Sequence, residues 1–193
     1  MLLVTPWDAG VPLPPLINLL KSSKLSFPTA GRALVPGCGK AYDAIIIASI
    51  LGLESISPVA TEAAKNTLTA EDKVKIETAD FVELDGTQPF DLIYDYTSVP
   101  PIFFQGFFVT LPPRRVDWGR KMSALVRLGS YLIAITAPLG MEKGDAGPSY
   151  YVEPGHYGGV LRGEGWEKVL DEDPVDTAAR RAWPQKLVVW KRT

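Results

Sequence analysis

Few side chains in this sequence suit bond-breaking chemistry, and its strongest chemical signal lies in the main chain. Val35-Pro36-Gly37-Cys38-Gly39-Lys40 follows a short apolar run and precedes a helical stretch. There glycine lets the backbone approach a ligand closely, because no Cβ intervenes. Gly37 and Gly39 are therefore candidate ligand contacts, with a plain structural turn as the alternative. The turn is neither the phosphate-binding GxxxxGK[ST] nor GxGxxG, since Tyr42 stands where the last glycine belongs. Glu54, fifteen residues beyond Gly39, sits where an α/β nucleotide site places a carboxylate for ribose hydroxyls, at a spacing shorter than the usual ~20. The bland reading of Glu54 is a solvated charge at a strand end. Asp80-Phe81 adds an acid for an adenine amino group and a ring to pack on the base, or else a turn acid beside a core phenylalanine.

Other candidates carry less. Cys38 has no histidine near it in sequence and reads as a small buried thiol. His156 with Ser149 or Asp145 lacks the GxSxG elbow of a hydrolase and reads as a loop histidine. Arg114-Arg115 could meet an anionic ligand, but two basic residues on an early helix turn favour a solvated face. Asp95 or Tyr94 could assist a proton, although polar groups at buried strand ends are more often structural. Phe103, Phe104, Phe107 and Phe108 form core packing or an apolar lid.

The elements that would position these residues form one domain of 193 residues. Twenty basic against 22 acidic residues, net charge −2, argue against a nucleic-acid partner bound through bulk charge. The longest apolar run, Ala44–Leu53, is broken by Ser49 and Gly52 and falls short of the ~20 residues of a membrane span. Met1–Trp7 lacks the basic start of a secretory signal. One cysteine excludes an intramolecular disulfide and one histidine a His-rich metal site. A cytoplasmic monomer with no membrane, metal or nucleic-acid partner is expected.

Leu16–Leu20 reads as a short helix behind prolines, Arg32–Val35 as a buried strand and Asp43–Ile50 as a helix. Gly52–Ile56 reads as a second strand, and Ser57-Pro58 as the opening of a helix through Thr61–Leu68. Val74–Thr78 and Phe90–Tyr96 are further strands. Pro113–Val126 reads as a helix with Arg127 in its last turn and Gly129 past its end, before the strand Tyr131–Ala137. A poor helix around His156–Arg162 precedes Trp166–Leu170 and Leu187–Lys191, a terminal antiparallel pair. The alternation implies an α/β fold on a mainly parallel sheet.

Several segments, in order and nearly end to end, resemble the thiopurine methyltransferase-like family, which also holds plant-type thiol and halide methyltransferases. They are Thr5-Pro6-Trp7-Asp8, Ala33-Leu34-Val35-Pro36-Gly37-Cys38-Gly39, Gly52-Leu53-Glu54 with Ile56-Ser57-Pro58, Phe90-Asp91-Leu92-Ile93-Tyr94-Asp95-Tyr96-Thr97, and Leu111-Pro112-Pro113-Arg114. The pattern Trp118…Met122…Leu125, the strand Leu132–Ala137 and Gly147-Pro148 also fit. The resemblance implies a Rossmann-like class I methyltransferase: a mostly parallel seven-stranded sheet with a C-terminal antiparallel hairpin. It implies S-adenosylmethionine as methyl donor, covered by residues 1–30. Carried over, Trp7 would lie over the donor, Gly37 and Gly39 beside its methionine part, and Glu54 at its ribose. Asp80 and Phe81 would flank the adenine, and Tyr96 would line the reaction centre. The acceptor would be a small soft nucleophile such as a thiol, halide or thiopurine, which needs alignment more than a general base, so no catalytic side chain is assigned. Two departures support an alternative, a relative that keeps the fold without catalysis. Ser98–Gly106 stands as an extra piece where the acceptor pocket should form, and the stretch from Gly39 to Glu54 is short.

Overall fold

A computed structural model describes residues 10–38, 40–59, 73–78, 83–97, 114–136, 153–174 and 184–193. The strands are β1 (Arg32–Leu34), β2 (Glu54–Val59), β3 (Val74–Thr78), β4 (Phe90–Thr97), β5 (Val126–Thr136), β6 (Trp166–Glu172) and β7 (Lys186–Arg192). They form one sheet in the order β3-β2-β1-β4-β5-β7-β6. The first five strands pair in parallel. β7 runs antiparallel to both β5 and β6, closing the sheet with the expected hairpin.

The described helices are α1 (Pro14–Lys21), α2 (Tyr42–Leu51), α3 (Arg115–Leu125) and α4 (Pro154–Leu161). Side chains alternate across each strand, so the sheet separates two apolar layers. Leu92, Tyr94, Ile133 and Val189 pack with α1 and α2 on one face. Ile93, Leu132, Val188 and Trp190 pack with α3 and α4 on the other. Because β1, β4 and β5 are parallel, the helices that follow them begin at the sheet's carboxyl edge, where open α/β sheets bind ligands.

Three sequence-based boundaries move. Ser57 and Pro58 open no helix; they continue β2 and pair with Ile76 and Glu77 of β3. The chain tolerates proline there because of parity. Glu54 N–H donates to Gly31 and the Ile56 carbonyl accepts from Val35, so alternate residues from Glu54 onward face β1. Pro58 has that parity, and β1 has already ended at Leu34, so the missing N–H removes no ladder bond. The second strand therefore spans Glu54–Val59, not Gly52–Ile56. Helix α3 passes into β5 at Val126 without a loop, so Arg127 lies in a strand. Gly129, at φ 83, forms an irregularity of β5, where the register jumps from Phe90↔Val126 to Leu92↔Tyr131.

Helix α4, Pro-Gly-His-Tyr-Gly-Gly-Val-Leu, is poor in helix formers and is held by buried Tyr157 and Leu161. A Cβ at Gly159 would meet nothing within 4 Å. Gly159→Ala should therefore raise unfolding free energy by about 1 kcal/mol in urea titration. Gly31→Ala should destabilise, since its Cβ would fall 2.1 Å from the Asp91 carboxylate at a φ of +110.

Candidate active site

The chain leaves β1 at the carboxyl edge through Val35, whose N–H donates to Ile56 O at 2.9 Å. Gly37 then turns at φ 62, in the left-handed region that glycine occupies without steric cost, and it is exposed. Ala41 N–H donates to Cys38 O at 2.9 Å and closes the turn. Ala41 is also left-handed (φ 62), a strained setting for a residue with a Cβ, and supplies no side-chain cap to α2. Cys38 is a half-buried thiol packed against the α1–α2 layer.

Asp43, in the first turn of α2, anchors this corner. Leu13 N–H donates to its Oδ1 at 2.8 Å and Tyr94 O–H to its Oδ2 at 3.0 Å. One carboxylate thus joins the starts of α1 and α2 to β4. Its place near a helix N-terminus suits a negative charge.

A second polar cluster lies across the sheet. Asp95, 2% exposed, accepts a 2.8 Å hydrogen bond from the fully buried Tyr157 O–H. Burial first, then the charge of Asp95 and the bond to it, hold the Tyr157 phenol well above its usual pKa, against a smaller opposing effect of Arg115. Burial also lowers the Arg115 guanidinium. Arg115 Nη1 lies 3.3 Å from His156 Nδ1, which also accepts the Glu153 N–H at 3.1 Å. Glu153 and His156 form a reciprocal box at the start of α4. Trp118 of α3 meets Tyr157 edge-on, centroids 5.8 Å apart.

The structure places the expected site residues unevenly. Gly37 lies at the carboxyl edge, and Tyr96, half-buried near the end of β4, packs on the α1–α2 face. Glu54 is on the other edge. It opens β2 rather than ending it, stands beside Arg32 in register, and pairs with exposed Lys75. Its carboxylate is therefore not brought to Gly37. Trp7, Gly39, Asp80 and Phe81 lie outside the described residues, as do residues 98–113. Arg115 is 7% exposed, not solvated as its neighbour Arg114 is, and His156 lies in the helix expected from about His156 onward, not in a loop. The alternation of Tyr94 and Asp95 across a strand was the available signal for both clusters. Nothing local distinguished Arg115 from Arg114. Among the described residues no group of three or more His, Cys, Asp or Glu could hold a metal ion, and no helix is long and apolar enough to cross a membrane.

The family described as thiopurine S-methyltransferase matches residues 3–192. A probable thiol methyltransferase 2 of Arabidopsis thaliana is 34% identical over 196 residues, covering 98% of this chain and 80% of its own. Thiocyanate methyltransferase 1 of Brassica oleracea is 34% identical over 197 residues with the same coverage. Among solved structures, the CcbJ methyltransferase from Streptomyces caelestis superposes with a TM-score of 0.68 at 16% identity, covering 98% of this chain and 94% of that one. The magnesium protoporphyrin IX methyltransferase from Synechocystis PCC 6803, solved with bound SAH, superposes at 0.63 and 13% identity, covering 93% of this chain and 81% of that one.

Removing the Asp43 carboxylate strands two donors. Asp43→Ala should cost roughly 2–4 kcal/mol in denaturant unfolding, and Tyr94→Phe about 1.5–3 kcal/mol. The raised Tyr157 pKa contributes stability that is full below the unfolded phenol's value, about 10, and lost as pH rises through the folded value. Tyr157→Phe should flatten that alkaline decline in unfolding free energy.

Proposed function

The chain belongs to the thiopurine S-methyltransferase family, and from that membership we propose that it methylates a small soft nucleophile: a thiol, a thiocyanate-like anion or a halide. It is an S-adenosylmethionine-dependent methyltransferase with the class I fold. The observation that carries the acceptor class is its likeness over 98% of its length to relatives named for thiol and thiocyanate methylation.

The residues present fit the methyl donor at one end. Gly37 is exposed and left-handed at the carboxyl edge, so the main chain is open to close approach without a Cβ. Gly37 and Gly39 would hold the methionine part, Trp7 would cover it, Asp80 and Phe81 would flank the adenine, and Tyr96 would line the reaction centre. Glu54 departs from that set, because its placement on the amino edge supports no ribose contact.

When bound, the donor supplies an activated methyl on a sulfonium, ready for in-line displacement. What the protein contributes is alignment and exclusion of water. Helices α2, α3 and α4 all begin on the carboxyl edge, and their positive ends favour an acceptor that arrives as an anion. A thiol gives its proton to solvent before it binds, a halide has none to give, and no side chain is required as base. The short return from α2, which leaves Glu54 on the amino edge, favours a second reading, a relative that keeps the fold without catalysis.

Release of S-adenosylhomocysteine, measured over a panel of thiols, thiocyanate and iodide, tests the proposal. Turnover with at least one supports it; donor binding without turnover supports the second reading. By calorimetry, Gly37→Val should weaken S-adenosylhomocysteine binding by about tenfold or more, since the side chain is strained and occupies the approach. Glu54→Gln should change that affinity less than about twofold, because its carboxylate pairs with Lys75 on the amino edge, away from Gly37.

A further inference from the structure

We propose that Arg115 is a positioning residue for the acceptor side of methyl transfer, acting through His156 and Tyr157 and not by touching substrate. The inference rests on the functional reading above and deepens it. Arg115 is the first residue of α3, at the carboxyl edge, and only 7% exposed. A buried cation at the positive end of a helix is unfavourable unless other groups hold it there.

His156 Nδ1 receives the Glu153 N–H at 3.1 Å and faces Arg115 Nη1 at 3.3 Å. Both neighbours can only donate, so Nδ1 must be the acceptor and the ring proton sits on Nε2. The Glu153 N–H and the Arg115 guanidinium thereby share the Nδ1 lone pair, and Arg115 holds from α3 the imidazole that boxes the first turn of α4. One residue on, Tyr157 O–H is bonded to Asp95, the residue before Tyr96 on β4. The starts of α3 and α4 and the end of β4 thus form one unit. Helix α4 carries three glycines, so its own propensity holds it weakly and these contacts set its place. A shift of its first turn moves the rim of the site, and small misplacements are costly for in-line transfer. Among the described residues, the charged or titratable groups facing His156 and its neighbour Tyr157 include Arg115 from α3, Asp95 from β4 and Glu153 from their own segment.

The experiment uses the full untagged chain, whose single histidine gives unambiguous imidazole signals. Nitrogen–proton correlation spectra of His156 should show an unprotonated Nδ1 at neutral pH. In Arg115→Gln the ring should titrate at higher pH, because a neighbouring cation is gone. In the same variant the KM for the acceptor should rise about tenfold or more, with the KM for S-adenosylmethionine within about twofold. Arg115→Lys, which keeps the charge but loses the fork, should recover part of both effects. A proton on Nδ1 in the wild type would overturn the proposal. So would an Arg115→Gln variant whose histidine titration is unchanged, or one whose two KM values rise together. If no acceptor is methylated by the wild type, the functional reading fails, and the spectra still decide whether Arg115 sets the ring.

Discussion

Two consecutive residues on β4 hold the layers of this fold together at its working edge. Successive side chains of a strand point to opposite faces, so Tyr94 and Asp95 must reach into different layers. Tyr94 donates to Asp43 on the α1–α2 side, and Asp95 accepts from Tyr157 on the α3–α4 side. The two bonds have the same chemistry with donor and acceptor exchanged: phenol to carboxylate each time. Charged hydrogen bonds of this kind contribute about 1.5–3 kcal/mol each. More than the energy, their placement matters, because both lie toward the edge where the helices begin.

The consequence is a division of the edge into two anchored sides. On one, Asp43 fixes the corner formed by α1, the glycine turn and α2, with no help from a cap at Ala41. On the other, Arg115, His156 and Tyr157 fix the starts of α3 and α4. The glycine-turn side thus depends on a carboxylate within a helix's first turn, and the opposite side on a buried cation beside an imidazole and a phenol. Neither side depends on the other's apolar packing, since the sheet lies between the two cores.

Much of this was legible from residue order. Phe90–Thr97 and Tyr131–Thr136 are dense apolar runs in which period two and continuous burial agree, so tertiary context had nothing to overrule. The glycine turn was legible because glycine takes the left-handed conformation of Gly37 without steric cost. Pro58 misled, because proline after serine is a good helix opener wherever the chain is not already paired on one side; pairing with β3 decided otherwise. Gly129 misled for a related reason. A positive φ ends helices, and it also makes strand irregularities, and the pattern around it cannot separate the two. Arg115 was illegible because burial of a cation depends on its partners, and His156 and Tyr157 are some forty residues away.

The position of Glu54 follows from the length of one connection. Helix α2 ends at Leu51, Gly52 turns in the left-handed conformation, and β2 is already pairing with β1 at Glu54. A return of two residues leaves no slack to draw the strand forward. Register is held on both sides as well, by Glu54 N–H to Gly31 and Ser55 N–H to Lys73. A slip of one residue would turn Ile56 and its buried neighbours to the wrong faces. Glu54 is thus committed to the amino edge by the same bonds that hold β2 in the sheet.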